Sequence, residues 1–195
     1  TSCKWLQNHI DGGFSIMSEL RTNRIVPRDG LVSGTNLGGG IIQCRMGVKT
    51  DIFKVQGTNN GNYTEVTGLN VTITPTRSDS KIMVDASVVI VANTANYHMG
   101  LEIRRGSSKI SGFEPTGNGS RTPAMAAMNT TGNAKPVTVP MMCMDAPATT
   151  SAVTYKIFGS IESNQYWEIN GSDSASNAYT VYRGISVIRA WEISG

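Results

Sequence analysis

Leu69, Val71 and Ile73 alternate with Asn70, Thr72 and Thr74, and Ile82, Val84, Ala86, Val88 and Ile90 repeat the pattern with Asp85 and Ser87 opposite. A period of two belongs to a strand with one buried face. Pro75 cannot donate to a ladder, so the first run stops there, and Thr76-Arg77-Ser78-Asp79-Ser80 is a polar link. The pair is expected as a β-hairpin whose apolar face the rest of the chain must cover.

Further runs supply that cover. Residues 41–46 form a short strand, 49–55 continue it or start the next, and 56–62 are an Asn- and Gly-rich turn. Met99, Leu101 and Ile103 alternate with Gly100, Glu102 and Arg104, and 109–113 follow the Gly106-Ser107-Ser108 turn as a short strand. Residues 114–136 show no period. Residues 137–144 are a strand interrupted by Pro140, at an edge or a bulge. Residues 153–161 turn Tyr155, Ile157 and Ile161 inward, 165–169 follow, and 184–193 close the chain. About eight to ten strands, with no convincing helix, predict an all-β fold, a jelly-roll-like antiparallel β-sandwich over residues 41–195.

The last strand carries bulk on both faces: Ile185, Val187, Trp191 and Ile193 on one, Ile188 and Ala190 on the other. A strand apolar on both faces is buried on both, as a central strand or at a subunit interface. The interface is expected here, with Val187, Ile188 and Trp191 packed near the threefold axis of a homotrimer and Arg189 reaching a carboxylate.

The N-terminal part reads differently. In residues 1–16 a stripe of Trp5, Leu6, Ile10 and Phe14 is interrupted by Gly12-Gly13, and this extension receives no role. Residues 17–40, broken by Pro27 and Asp29-Gly30 and ending in Gly38-Gly39-Gly40, suit an extended anchoring arm with a glycine hinge. The arm has too few apolar residues for its own core. Leu20, Ile25, Val26 and Leu31 are expected to contact other chains. The glycine run lacks phosphate-loop spacing.

Charged residues are 16% of the chain, the net charge is +3, and Arg104-Arg105 is the densest basic pair. No nucleic-acid partner is expected from so scattered a charge. No run approaches the ~18 apolar residues of a membrane span, so membrane insertion is not expected either. The three cysteines, Cys3, Cys44 and Cys143, have no metal-binding spacing and read as small core or edge residues of a protein folded under reducing conditions. Sequons begin at Asn62, Asn70, Asn118, Asn129 and Asn170, and none is read as glycosylated in so Asn- and Thr-rich a chain.

His9 and His98 stand alone, the carboxylates form no paired or calcium-loop pattern, and no nucleophile elbow occurs. No enzyme, metal or cofactor is expected, and His98 reads as a surface or loop-packing residue. Binding has more support. A structureless stretch as long as 114–136 is uncommon unless functional or disordered. Its Asn118, Ser120, Arg121, Asn129 and Asn133, with Trp167 as a flat apolar face, are the candidate receptor contacts. Tyr166, Tyr179 and Tyr182 could serve the same way, or alternate members of the pairs Tyr166/Trp167 and Tyr179/Tyr182 are simply core. The methionines of 125–144 fill irregular core or interface gaps.

Met17-Ser-Glu-Leu-Arg-Thr-Asn-Arg-Ile-Val-Pro-Arg-Asp-Gly30, the Gly-Gly-Gly-Ile-Ile-Gln43 run, Val66-Thr-Gly-Leu-Asn-Val-Thr-Ile-Thr-Pro75, Ser80-Lys-Ile-Met-Val84 and Asp145-Ala-Pro-Ala-Thr-Thr-Ser-Ala-Val-Thr-Tyr-Lys156 resemble virion proteins of short-tailed marine cyanophages. The resemblance runs from Met17 to the C-terminus. It implies a trimeric fibre, knob or capsid-decorating protein that the arm anchors to other virion proteins, with a host-surface glycan as a further partner. The rival readings are a soluble carbohydrate-binding module and a glycan-cleaving spike.

Overall fold

A computed structural model describes residues 40–57, 62–92, 97–116, 119–129, 135–172 and 182–194. The N-terminal extension, residues 17–39 of the arm with Leu20, Ile25, Val26 and Leu31, and the candidate contacts Asn118, Asn133 and Tyr179 lie outside the described residues. Eleven strands follow in order among them: β1 (Ile41–Lys49), β2 (Phe53–Gln56), β3 (Thr64–Ile73), β4 (Lys81–Ala92), β5 (His98–Arg105), β6 (Ser108–Lys109), β7 (Ala126–Asn129), β8 (Val137–Asp145), β9 (Val153–Ile161), β10 (Tyr166–Ile169) and β11 (Ser186–Ile193). There is no helix among the described residues.

The strands form two antiparallel sheets, as the alternating runs predict. The larger has six strands in the order β1-β11-β4-β10-β2, with β8 on the free side of β4; the smaller has five in the order β3-β9-β5-β6, with β7 also on β5. Their inner faces make one core. The smaller sheet contributes Leu69, Val71, Leu101, Ile103, Tyr155 and Ile157, and the larger Ile82, Val84, Val88, Ile90, Ile169 and Ile188. The fold is thus an all-β, jelly-roll-like sandwich.

The expected hairpin is not one. β3 pairs with β9 in one sheet, and β4 pairs with β8, β10 and β11 in the other. The two runs lie in different sheets rather than side by side, and the polar link arches between the sheets. Alternation dictates which side chains are buried, and both arrangements bury the same ones. Buried Glu192 of β11 holds the arch. Its carboxylate accepts from the Thr76 backbone N–H at 2.7 Å, Thr76 Oγ1 at 2.8 Å, Ser80 Oγ at 2.7 Å and Gln43 Nε2 at 2.6 Å.

Three other expectations change. β8 runs unbroken from Val137 to Asp145 in continuous register with β4, and Pro140 fits because β8 is an edge strand whose outer side needs no donor. The strand expected over 109–113 shrinks to the two residues of β6. The segment 114–136 contains β7, four residues paired with β5. At the far corner Asn170, fully buried with φ 59°, donates to the carbonyls of Lys49 (2.8 Å) and Asp51 (3.1 Å) and accepts from Ser186 Oγ at 2.7 Å. That sequon amide is already occupied.

Candidate functional site

Two surfaces stand out, one on the outside of each sheet. The outer face of the larger sheet is built by register across β1, β11, β4 and β8. One row is Met46, Arg189, Asp85 and Met142; the next is Cys44, Trp191, Met83 and Met144; the third is Val48, Val187, Ser87 and Pro140. At strand spacings these rows cover roughly 14 Å by 14 Å between Cα positions. Most of the positions are apolar, and Met46 and Met142 are 62% and 63% exposed. The polar centre is self-satisfied: Arg189 Nε donates to Asp85 Oδ1 at 2.8 Å and Trp191 Nε1 to Asp85 Oδ2 at 2.6 Å.

The expected interface residues divide between the two faces. Val187 and Trp191 lie on this outer face, partly exposed, whereas Ile188 points inward and is fully buried in the core. Ile188 is therefore not available to another subunit. β11 is also central, paired to β1 on one side and β4 on the other, so bulk on both faces reflects a strand inside its own sheet. The carboxylate expected for Arg189 is Asp85 of the same chain.

The outer face of the smaller sheet holds a cleft of about 580 Å³. Along β5, Met99, Leu101 and Ile103 point into the core, so His98, Gly100, Glu102 and Arg104 point out. Register then sets two rows. Asn129, His98 and Glu162 stand side by side, and Ala127, Gly100 and Ser160 make a floor of small residues beside them. Tyr63 and the 121–124 segment close the other side. Gly100 is needed for that closure: a Cβ there would lie 2.5 Å from Tyr63 Oη, which donates to Pro123 O at 2.8 Å. Burial, then the charge of Glu102, holds the Tyr63 hydroxyl far above its ordinary pKa, so it stays protonated as that donor. Behind Tyr63, the Arg104 guanidinium lies between the Tyr63 and Phe158 rings at 5.1 and 4.4 Å and bonds Glu102 at 2.7 Å.

The imidazole of His98 has a partner on each nitrogen. Nδ1 lies 3.1 Å from Glu162 Oε2, and Asn129 Nδ2 lies 3.1 Å from Nε2. With the Asn129 amide donating, the neutral Nδ1–H tautomer satisfies both contacts. His98 is a surface residue, as expected, yet it is the centre of a built polar row.

The candidate receptor residues fare unequally. Arg121 lines the cleft, Asn129 is bonded to its wall, and Ser120 is exposed next to Arg121. Trp167 is 1% exposed in the core, so it cannot contact a receptor. It packs on Phe53 with ring centroids 5.7 Å apart, and a Cβ on Gly159 would come within 2.5 Å of its ring. Among the described residues no cluster of His, Cys, Asp and Glu could hold a metal ion, and no helix is long and apolar enough to cross a membrane. Cys143 is buried and Cys44 exposed, both as free thiols.

No family model matches the chain, and no curated protein matches it significantly. Among solved structures it is similar to that of infectious bursal disease virus Gt strain, at 14% identity and a TM-score of 0.40 over 79% of this chain and 40% of that one. T=1 particles derived from infectious bursal virus give 10% identity and 0.40 over 79% and 39%. The Gx strain gives 10% and 0.39 over 77% and 38%. The chain thus spans about two-fifths of the chains it matches. At this level the likenesses decide nothing about this chain, whose architecture rests on its own strands.

Proposed function

We propose that this chain is a non-enzymatic structural protein of a virus particle, assembling through the outer face of its larger sheet against further copies of itself. The observation that carries the reading is the three-row apolar face of β1, β11, β4 and β8. A sandwich standing alone leaves Met46, Met142, Val48 and Met144 in water on one face, and an exposed apolar patch rimmed by polar residues is the kind of surface that proteins use for association. Its one ion pair is internal, so a second copy meets no uncompensated charge.

The finer reading follows the sequence resemblance: a trimeric fibre, knob or capsid-decorating protein of a tailed phage, anchored by residues 17–40. A cyclic trimer hides the same patch on every copy. Mass spectrometry of purified, nuclease-treated particles tests the reading. Peptides of this chain should persist through gradient purification in constant ratio to the major capsid protein. Peptides confined to the soluble lysate contradict it.

A further inference from the structure

We infer that the cleft on the outer face of the smaller sheet, between Tyr63, the 121–124 segment and the Asn129–His98–Glu162 row, binds a neutral saccharide. The inference goes beyond the assembly reading and does not depend on it, because the cleft lies on the opposite sheet.

Three features of the cleft point the same way. The first is charge: among the lining residues Arg121 and Glu162 are one cation and one anion. A phosphate or sulfate would meet the Glu162 carboxylate, and an ammonium ligand would meet Arg121. A neutral ligand meets neither penalty. The second is the hydrogen-bonding set. Thr122, Ser160 and Ser163 carry hydroxyls that both donate and accept, Arg121 only donates and Glu162 only accepts. An apolar ligand would strip water from all of them without replacing its bonds. Sugar hydroxyls, which donate and accept, match the whole set. The C–H face of a pyranose matches the Ala124 and Ala127 methyl groups that line the cleft.

The third feature is rigidity. Ser163 has φ 61°, a left-handed conformation that costs energy for a residue with a Cβ and recurs at functional sites. Its turn is fixed from outside the cleft, where Gln56 Nε2 donates to Asn164 O at 3.0 Å and Gly57 N to Gln165 O at 2.7 Å. His98 is held between Glu162 and Asn129. A volume of about 580 Å³ falls in the ~300–1,000 Å³ range of small-ligand sites.

Saturation-transfer difference NMR on the intact chain tests this. The probes are methyl α-glucoside, methyl α-mannoside and methyl β-galactoside, with glucuronate as the anionic counterpart. At least one neutral glycoside should receive saturation from the wild-type protein. The signal should fall by roughly ten-fold, the loss of one charge-assisted hydrogen bond, in both Arg121→Ala and Glu162→Gln. Both positions are exposed, and far-ultraviolet circular dichroism checks that each variant is folded. Arg77→Ala, on the arch, should keep the wild-type signal. No transfer to any neutral glycoside, transfer to glucuronate alone, or signals unchanged in both cleft variants would each overturn the inference.

Discussion

Glu192 is a buried carboxylate with no cation among its contacts to the described residues. Burial alone would raise its pKa; the hydrogen bonds from Gln43, Ser80 and Thr76 outweigh that and bring it down from 4.5 to about 2. A depression of that size is worth about 3 kcal/mol of folded-state stability at neutral pH. The sign follows from the direction. The folded pKa lies below the unfolded one, so the contribution is complete above pH 4.5 and is lost as pH falls towards 2. In Glu192→Gln the amide oxygen can still accept from Thr76 and Ser80, but the amide nitrogen now faces the Gln43 donor. The variant should lose about 2 kcal/mol at neutral pH and lack the acid-dependent step. Urea unfolding of both proteins at intervals between pH 7 and 2 measures this, and their difference cancels the other carboxylates. The two stabilities should converge below pH 4.5. A difference that stays constant down to pH 2 refutes the reasoning.

Other outcomes follow from single contacts. Gly159→Ala places a Cβ 2.5 Å from the Trp167 ring and should cost about 1–3 kcal/mol in thermal unfolding. Tyr155 donates to Asp145 Oδ2 at 2.8 Å in a buried position, so Tyr155→Phe should cost about 1–2 kcal/mol in denaturant unfolding. Burial, then the charge of Asp145, pushes the Cys143 thiol up to about 12; maleimide labelling with peptide mapping should leave Cys143 unmodified in the native protein and modify it in denaturant.

Much of the fold is legible in the chain because alternation reports face. Ile82 to Ile90, Met99 to Ile103 and Tyr155 to Ile161 are buried at the positions their period implies. Alternation does not report partners. The arch between β3 and β4 looks the same in sequence as a hairpin, since the same side chains are buried either way. β7 was hidden because Ala126-Ala127-Met128-Asn129 has no β-branched residue and no period long enough to see. For Tyr166 and Trp167 the sequence leaves receptor face and core both open, and the space that admits Trp167 to the core is made by Gly159, on another strand. The cleft was half visible: Arg121 and Asn129 belong to it, but the row through His98 needs β5 in register with segments 31 and 64 residues further on. The visible trace was the polar and small alternation of His98, Gly100, Glu102 and Arg104.

In the proposed assembly, copies of this chain cover the outer face of β1, β11, β4 and β8. Sedimentation equilibrium of the intact chain, alone and as the Met46→Lys/Met142→Lys double variant, tests it most directly. Both methionines are exposed and paired only through backbone in their rows, so the lysines add charge to the face without entering the core. The wild type should sediment at three times the 20.9 kDa chain mass and the variant at the chain mass, with the same far-ultraviolet spectrum. A monomeric wild type, or a folded variant that remains trimeric, would contradict the account.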